Sequence, residues 1–324
     1  MKYALLFPGQ GSQAVGMGQD LCGLSKAARD VFAEADDALG FSLSDVCFNG
    51  PEEKLVLTAY TQPAILTASI AVYRALLERG VELEPAFVAG HSLGEYTALV
   101  ASGVLSLSDG VRLVHKRGSF MQDAVPPEVG AMAAIIGLEP DSVEELCAEA
   151  AQGEVCEPSN YNTPSQLVIS GHRSAVERAV ALASARGAKR SVLLKVSAPF
   201  HCSLMRPVAD LLSYEMDKCT WNRGAFPLVA NVTAQIVSTT RAIRDGLYEQ
   251  TYSPVQWVKS VKTMISEGVG AFMEIGPGKV LTGTVKKIQK GACTLNVEHA
   301  ADLDSVPPFV ESLAEPPMEE EARQ

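Results

Sequence analysis

The chain has 324 residues, and its 38 acidic side chains outnumber its 27 basic ones, which gives a net charge of −11 at pH 7. That charge argues against nucleic acid as a partner, and the 47% hydrophobic and 20% charged fractions are those of ordinary globular proteins. No uncharged apolar stretch is long enough for a bilayer, and the first apolar run ends at Pro8, too early for a signal peptide. Seven scattered cysteines without metal-ligand spacing indicate free thiols in the reducing cytoplasm and no metal site.

Predicted strands and helices alternate along most of the chain. Short apolar runs predict strands, and apolar residues at three- and four-residue spacing predict helices. Outside the middle of the chain, the predicted strands are 3–7, 86–89, 228–231, 271–275 and 294–297. The predicted helices there are 25–39, 62–79, 94–101, 108–124, 202–218, 255–266 and 280–289. This alternation predicts an α/β fold whose parallel sheet is covered on both faces.

The middle segment has a different order of elements. Residues 130–196 read as strand, helix, strand, strand, helix, strand, which is the split βαβ pattern of a ferredoxin-like unit. We therefore predict a small subdomain over 127–197, inserted in a large subdomain formed by 1–126 and 198–300. A cleft between the two is expected to bind the ligand. The Pro- and Glu-rich tail, 305–324, is predicted to be disordered.

Ser92 lies in the pattern Gly-x-Ser-x-Gly between a predicted strand and a predicted helix. The glycines at positions 90 and 94 allow strand and helix to meet in a sharp turn that exposes the serine hydroxyl. The same turn leaves the N–H of Leu93 free at a helix N-terminus, where it can donate to an oxyanion. The pattern therefore indicates a nucleophile, and a plain Gly/Ser connecting loop is the alternative.

His201 is the candidate base for Ser92 among the five histidines of the chain. It follows a predicted strand and opens a predicted helix, and loops after strands hold catalytic groups firmly and accessibly. A buried structural histidine is the alternative. No Asp or Glu stands out on a post-strand loop between the two residues, so a neutral hydrogen-bonding group is expected to orient the imidazole.

Arg117 lies on the apolar face of the predicted helix 108–124. The residues three and four positions away are all apolar: Leu113, Val114, Phe120 and Met121. A buried unpaired guanidinium is costly, so it needs a partner from another element or an anionic ligand. Arginine binds carboxylates in a bidentate fork, whereas an intramolecular salt bridge is the alternative.

Six motifs occur together and in a fixed order along the chain. They are Phe7-Pro8-Gly9-Gln10-Gly11-Ser12-Gln13, Gly90-His91-Ser92-Leu93-Gly94-Glu95, Arg117, Gly130-Ala131-Met132, Ala198-Pro199-Phe200-His201 and Gln250-x-x-x-Pro254-Val255-x-Trp257. In this combination they resemble the malonyl-CoA:acyl-carrier-protein transacylase family over residues 3–297. The resemblance implies an α/β-hydrolase-like parallel sheet core with an inserted ferredoxin-like small subdomain.

The resemblance also implies roles for the catalytic residues. Ser92 is then the nucleophile and His201 its base, and Gln250 orients the histidine through a main-chain or side-chain acceptor. Gln10 and Leu93 supply the main-chain donors of the oxyanion hole.

Substrate-binding roles follow from the same resemblance. Arg117 grips the malonyl carboxylate, and Asn160 and Asn162 lie near the path of the acyl and pantetheine groups. Met121 and Phe200 are expected to surround the acyl group with Arg117 in a dry pocket that slows hydrolysis.

The implied reaction is ping-pong acyl transfer in fatty acid biosynthesis. A malonyl group passes from malonyl-CoA to Ser92 and then to the phosphopantetheine thiol of acyl carrier protein. No metal or other cofactor is expected, because the partner carries the phosphopantetheine, and we expect a monomer. One alternative is a free-standing malonyl acyltransferase of a polyketide synthase. The other is a serine esterase or thioesterase, which requires neither a buried arginine nor the Gln250 motif.

Overall fold

Six strands form the larger of two sheets in the computed structural model, which describes residues 1–126, 128–196 and 198–314. Numbered in chain order, they are β1 (Lys2–Phe7), β2 (Phe87–Gly90), β7 (Leu228–Val229), β8 (Ile236–Val237), β9 (Val269–Ile275) and β10 (Cys293–Val297). Their spatial order is β10-β9-β1-β2-β7-β8, and all neighbours are parallel except β7 and β8. The loops after β1, β2 and β7 therefore meet at one edge of the sheet.

Helices cover both faces of this sheet. They are α1 (Gln19–Leu24), α2 (Lys26–Leu39), α3 (Leu43–Asn49), α4 (Glu52–Leu55), α5 (Thr58–Glu78), α6 (Leu93–Ala101), α7 (Leu107–Asp123), α10 (Arg206–Met216), α11 (Thr240–Gln250), α12 (Trp257–Ser266), α13 (Val280–Ile288) and α14 (Val306–Ala314). Successive side chains of β1 point to opposite faces, so Leu5 joins one apolar cluster and Leu6 another. The predicted α/β fold with a covered parallel sheet is confirmed.

The second sheet has four antiparallel strands. They are β3 (Gly130–Ile136), β4 (Cys156–Thr163), β5 (Gln166–His172) and β6 (Arg190–Leu193), in the order β4-β5-β3-β6. The helices α8 (Pro140–Ala151) and α9 (Arg173–Ala185) pack on this sheet around an apolar cluster of their own. The predicted β-α-β-β-α-β order is confirmed. The predicted subdomain boundaries, 127 and 197, are residues outside the described set, so that division of the chain stays a prediction.

Two sequence predictions are wrong in detail. The helix predicted over 202–218 is a 3-10 turn, Ser203–Met205, followed by α10, because Pro207 has no N–H to donate and suits the first turn of a new helix. The tail is not disordered over 306–314, where α14 forms after a 3-10 segment, Ala300–Ser305. Val306 and Leu313, two helical turns apart, bury one face of α14 against the main core. The rest of the predicted tail, 315–324, lies outside the described residues.

No helix of the described ranges combines the length and the hydropathy that a membrane span requires.

Candidate active site

Ser92 stands at a strained turn between β2 and α6. Its φ of 53° and ψ of −105° are rare for an L-residue. A Cβ on Gly90 would lie 2.1 Å from the Gly94 carbonyl, and one on Gly94 would lie 2.0 Å from the Phe7 oxygen. Only glycine allows the strand, the turn and the helix to approach this closely. The predicted strand–serine–helix geometry is therefore confirmed.

The Ser92 hydroxyl contacts His201, which lies on the loop before α10. Ser92 Oγ is 2.6 Å from His201 Nε2, and His201 Nδ1 is 2.7 Å from the main-chain oxygen of Gln250. A carbonyl only accepts, so Nδ1 carries the proton and Nε2 of the neutral ring accepts from the serine. Burial, and to a smaller extent the charge of Arg117, lowers the pKa of His201 to about 3. The imidazole is therefore in its basic form at neutral pH.

Gln250, at the end of α11, makes four contacts in this site. Its main-chain oxygen, rather than its side chain, accepts from His201. Its Nε2 donates to the Ser92 main-chain oxygen at 2.9 Å and to Glu95 Oε2 at 2.7 Å, and its Oε1 accepts from Arg117 Nη2 at 2.9 Å. Of the two acceptors that the resemblance allowed, the geometry selects the main-chain oxygen.

Arg117 reaches the serine from α7, with 1% of its surface exposed. Nη1 donates to Gln62 Oε1 at 2.8 Å, and Nη2 donates to Ser92 Oγ at 3.2 Å as well as to Gln250. The guanidinium carbon lies 5.2 Å from the centre of the Tyr96 ring. Among the described residues its hydrogen-bond acceptors are neutral oxygens, so the alternative of a direct intramolecular salt bridge is wrong. A buried cation with neutral partners beside a reactive hydroxyl is well placed to bind an anionic acyl group.

Sequence reasoning missed the residues that hold this centre together. Asn231, two residues after the end of β7, accepts from the Ser92 N–H at 2.7 Å and donates from Nδ2 to the Gly90 oxygen at 2.7 Å. Glu95 belongs to the motif around Ser92 but has no predicted role, and Gln62 is predicted only as the first residue of a helix. Two sequence features could have indicated these roles. Glu95 is a carboxyl residue within a mostly apolar helix, and Asn231 ends a predicted strand at the carboxyl edge of the sheet.

Glu95 places a carboxyl group behind the serine and arginine. Burial raises the pKa of Glu95 to about 7, and this rise is partly offset by hydrogen bonds from the Gln250 side chain and the Asn231 N–H and by the charge of Arg117. The site therefore contains a carboxyl group that is partly protonated near neutral pH.

The two residues predicted to supply main-chain donors, Leu93 and Gln10, lie beside the elbow, which is the turn at Ser92 between β2 and α6. Leu93 begins α6, and Gln10 lies on the loop after β1, where a Cβ on Gly9 would be 2.4 Å from the His91 oxygen. Within the described ranges neither the Leu93 N–H nor the Gln10 N–H has an acceptor, while the Gln10 side chain donates to Thr58 Oγ1 at 3.2 Å. This placement is compatible with the implied oxyanion hole, and that role stays a prediction.

Asn160 and Asn162, which are predicted to lie along the acyl and pantetheine path, have different surroundings in the structure. Asn162 Oδ1 is 2.8 Å from His91 Nε2, and both side chains line a cleft of about 280 Å³ together with Gln10 and Lys287. Asn160 is buried in β4 and accepts from Ser159 Oγ at 3.1 Å.

Met121 and Phe200 share one apolar cluster beside the catalytic centre. Met121 Sδ is 3.8 Å from Nε2 of Gln62, and Oε1 of the same glutamine accepts a hydrogen bond from Arg117. Phe200 is 9% exposed and immediately precedes His201. Their predicted contact with the acyl group stays a prediction.

A serine in a strand–turn–helix elbow, hydrogen-bonded to a buried histidine at the edge of a parallel sheet, is typical of enzymes that transfer acyl groups or hydrolyse acyl esters through a serine nucleophile. The family model described as "Acyl transferase domain" matches residues 4–308. A malonyl CoA-acyl carrier protein transacylase from Escherichia coli (strain K12) is 52% identical over 287 residues, which cover 89% of this chain and 93% of the relative. The chain belongs to the malonyl CoA-acyl carrier protein transacylase family.

Solved structures of relatives have the same fold. An acyl carrier protein S-malonyltransferase from Vibrio cholerae matches with a TM-score of 0.92 and 47% identity, over 94% of this chain and all (100%) of that one. A malonyl-transacylase solved in complex with its type II polyketide-synthase acyl-carrier protein matches with a TM-score of 0.91 and 45% identity, over 94% of this chain and 98% of the other.

Proposed function

We propose that this chain transfers a malonyl group from malonyl-CoA to the phosphopantetheine thiol of acyl carrier protein through a malonyl ester of Ser92. One observation carries the proposal: Arg117 Nη2 lies 3.2 Å from Ser92 Oγ and has only neutral acceptors among the described residues. An acyl group on Ser92 that ends in a carboxylate supplies the missing negative charge. The names of the relatives from Escherichia coli and Vibrio cholerae support the same substrate and carrier.

In the first half-reaction the neutral His201 removes the hydroxyl proton of Ser92 through Nε2. The serine oxygen attacks the thioester carbonyl, and the Gln10 and Leu93 N–H groups receive the oxyanion. When the tetrahedral intermediate collapses, the carbon–sulfur bond breaks and the proton on His201 passes to the departing sulfur of CoA. The Gln250 main-chain oxygen holds the ring in the tautomer that accepts and returns this proton.

The second half-reaction repeats these steps with a different nucleophile. The thiol of the carrier gives its proton to His201 and attacks the ester carbonyl, and the serine oxygen leaves as a hydroxyl. Buried apolar side chains such as Met121 and Phe200 exclude water from the ester. Their exclusion of water favours the thiol over hydrolysis and distinguishes a transferase from a thioesterase.

We also propose that neither a metal ion nor another cofactor takes part, because the side chains and main-chain donors named above supply every proton transfer and charge contact. Seven free thiols support a cytoplasmic location. We propose a monomer, which light scattering after size-exclusion chromatography will test.

Mass spectrometry of the intact protein tests the proposed function. Brief exposure to malonyl-CoA is expected to add one malonyl group to the wild type and none to Ser92→Ala. Ser266→Ala, which removes an exposed hydroxyl on α12, serves as the matched control and should keep the adduct. Addition of holo acyl carrier protein should then discharge the ester onto the carrier. An adduct in Ser92→Ala, or rapid release of free malonate without a carrier, would contradict the proposal.

A further inference from the structure

Glu95 is a buried carboxyl group that the proposed mechanism does not use. It lies three residues after Ser92 in the first turn of α6, and 1% of its surface is exposed. Its Oε2 accepts from the Gln250 side chain at 2.7 Å and from the Asn231 main chain at 3.3 Å. A carboxylate is costly to bury, so its position between two residues of the site requires a physical explanation.

The first part of the explanation is the orientation of Gln250. Glu95 accepts from Nε2 of this amide, while Arg117 donates to its Oε1. A flipped amide would turn its oxygen towards the carboxylate and its NH₂ group towards the guanidinium, so both neighbours oppose the flip. Because the main chain of Gln250 receives His201 Nδ1–H, a group that holds Gln250 also holds the base.

Asn231 provides a second connection from Glu95 to the reacting atoms. Its main-chain N–H donates to Glu95, and its side-chain oxygen accepts from the Ser92 N–H at 2.7 Å. Glu95 therefore contacts neither the serine hydroxyl nor the imidazole, yet it reaches each through one intervening residue.

The second part of the explanation for the buried carboxyl group is electrostatic. Within the described part of the chain, Arg117 is the charged group that acts on Glu95. Burial lowers the pKa of His201 to about 3 and also lowers the pKa of His91, so both rings are neutral at pH 7. Burial raises the pKa of Tyr96 to about 12, so the phenol is neutral as well. The pKa of Glu95, about 7, leaves this carboxyl able to gain or lose its charge in the working range of pH.

We propose that Glu95 is a positioning residue that orients His201 through Gln250, and that its negative charge competes with the malonyl carboxylate for Arg117. The proposal rests on the proposed function, because it requires the malonyl carboxylate to lie on Arg117. An ionised Glu95 gives the incoming carboxylate a like charge in a poorly hydrated site, whereas a protonated Glu95 does not. Affinity for malonyl-CoA should therefore fall as the pH rises through about 7.

Single-turnover acylation of the full chain, followed by rapid quench and mass spectrometry, separates the two roles. In the wild type the half-saturating concentration of malonyl-CoA should rise on the order of ten-fold from about pH 6 to about pH 8. Acetyl-CoA carries the same nucleotide phosphates without the carboxylate, so it controls for their titration and should show no such rise.

Two substitutions of Glu95 distinguish the effect of its charge from the effect of its side-chain length. Glu95→Gln keeps an acceptor for Gln250 and removes the charge, so it should abolish the pH dependence and bind malonyl-CoA more tightly at high pH. Glu95→Asp keeps the charge and shortens the side chain, so it should keep the pH dependence and lower the maximal acylation rate roughly ten-fold or more. Circular dichroism at each pH verifies that the variants are folded.

The outcomes separate this inference from the proposed function. If the wild type forms no malonyl-serine ester, the proposed function is wrong. If the ester forms but Glu95→Gln keeps the wild-type pH dependence, or Glu95→Asp keeps the wild-type rate, the corresponding role of Glu95 is wrong. Should Glu95→Gln not fold, the wild-type profile decides the charge role: equal pH dependence for malonyl-CoA and acetyl-CoA overturns it.

Discussion

Replacement of Arg117 by alanine should convert a malonyl-selective site into one that no longer distinguishes malonyl from acetyl. The substitution removes the donor that lies 3.2 Å from Ser92 Oγ and also removes the hydrogen bonds to Gln62 and Gln250. The loss of those two bonds affects both substrates, because Gln250 also orients His201. The loss of the ion pair affects only the substrate that carries a carboxylate.

The selective part of this loss can be estimated from the burial of the guanidinium. Loss of one partner of a buried, hydrogen-bonded charge pair costs about 2–5 kcal/mol. The kcat/KM for malonyl-CoA should therefore fall roughly 30- to 5,000-fold more than that for acetyl-CoA, which should stay within about ten-fold of the wild type. Steady-state transfer to holo carrier protein with each acyl-CoA measures both values.

Arg117→Lys is the matched control for this prediction. It keeps a positive charge and loses the planar fork, so its selectivity should lie between those of the wild type and the alanine variant. Equal losses for malonyl-CoA and acetyl-CoA in Arg117→Ala would refute the reasoning, since they would show that the arginine only holds Gln62 and Gln250 in place.

Three further predictions concern the base, the elbow and the docking of the carrier. His201→Ala should slow acylation roughly 10²- to 10⁴-fold. In the wild type the pKa of His201 is about 3, so protonation of this residue should not reduce the rate of single-turnover acylation between about pH 5 and pH 8. Gly94→Ala places a Cβ 2.0 Å from the Phe7 oxygen, so it should lower the melting temperature and abolish acylation; an unchanged melting curve would contradict this. Two groups of basic residues are candidate docking sites for an acidic carrier: Lys286, Lys287 and Lys290, and Lys189, Arg190 and Lys195. Lys287→Glu, in the cleft that Gln10 also lines, and Lys189→Glu, just before β6, test one group each. The substitution at the docking site should raise the KM for the carrier and spare the CoA half-reaction, and unchanged KM values in both variants would exclude both groups.

The sequence alone was sufficient for the features that depend on neighbouring residues. The elbow at Ser92 was predictable because two glycines, a preceding apolar run and a following helix all lie within a few residues of each other. The burial of Arg117 was predictable because helical geometry places residues three and four positions apart on one face. The order of elements in the small sheet followed from hydrophobic periodicity in the same way.

Other features depend on contacts that no local pattern describes. Ser92 and His201 are 109 residues apart, and Ser92 and Gln250 are 158 apart, so the order and direction of the strands decide whether they meet. The choice of the Gln250 main-chain oxygen as the acceptor for His201 requires the end of α11 to pack against the elbow.

The same reason explains what sequence reasoning missed around the serine. Glu95 and Asn231 have their roles only because the carboxyl end of β7 lies beside β2 and the start of α6. Burial of α14 likewise depends on a core that the rest of the chain builds, so the composition of the tail gave the wrong expectation for residues 306–314. Local spacing determines turns and faces, whereas the partners of a buried polar group depend on which elements the fold brings together.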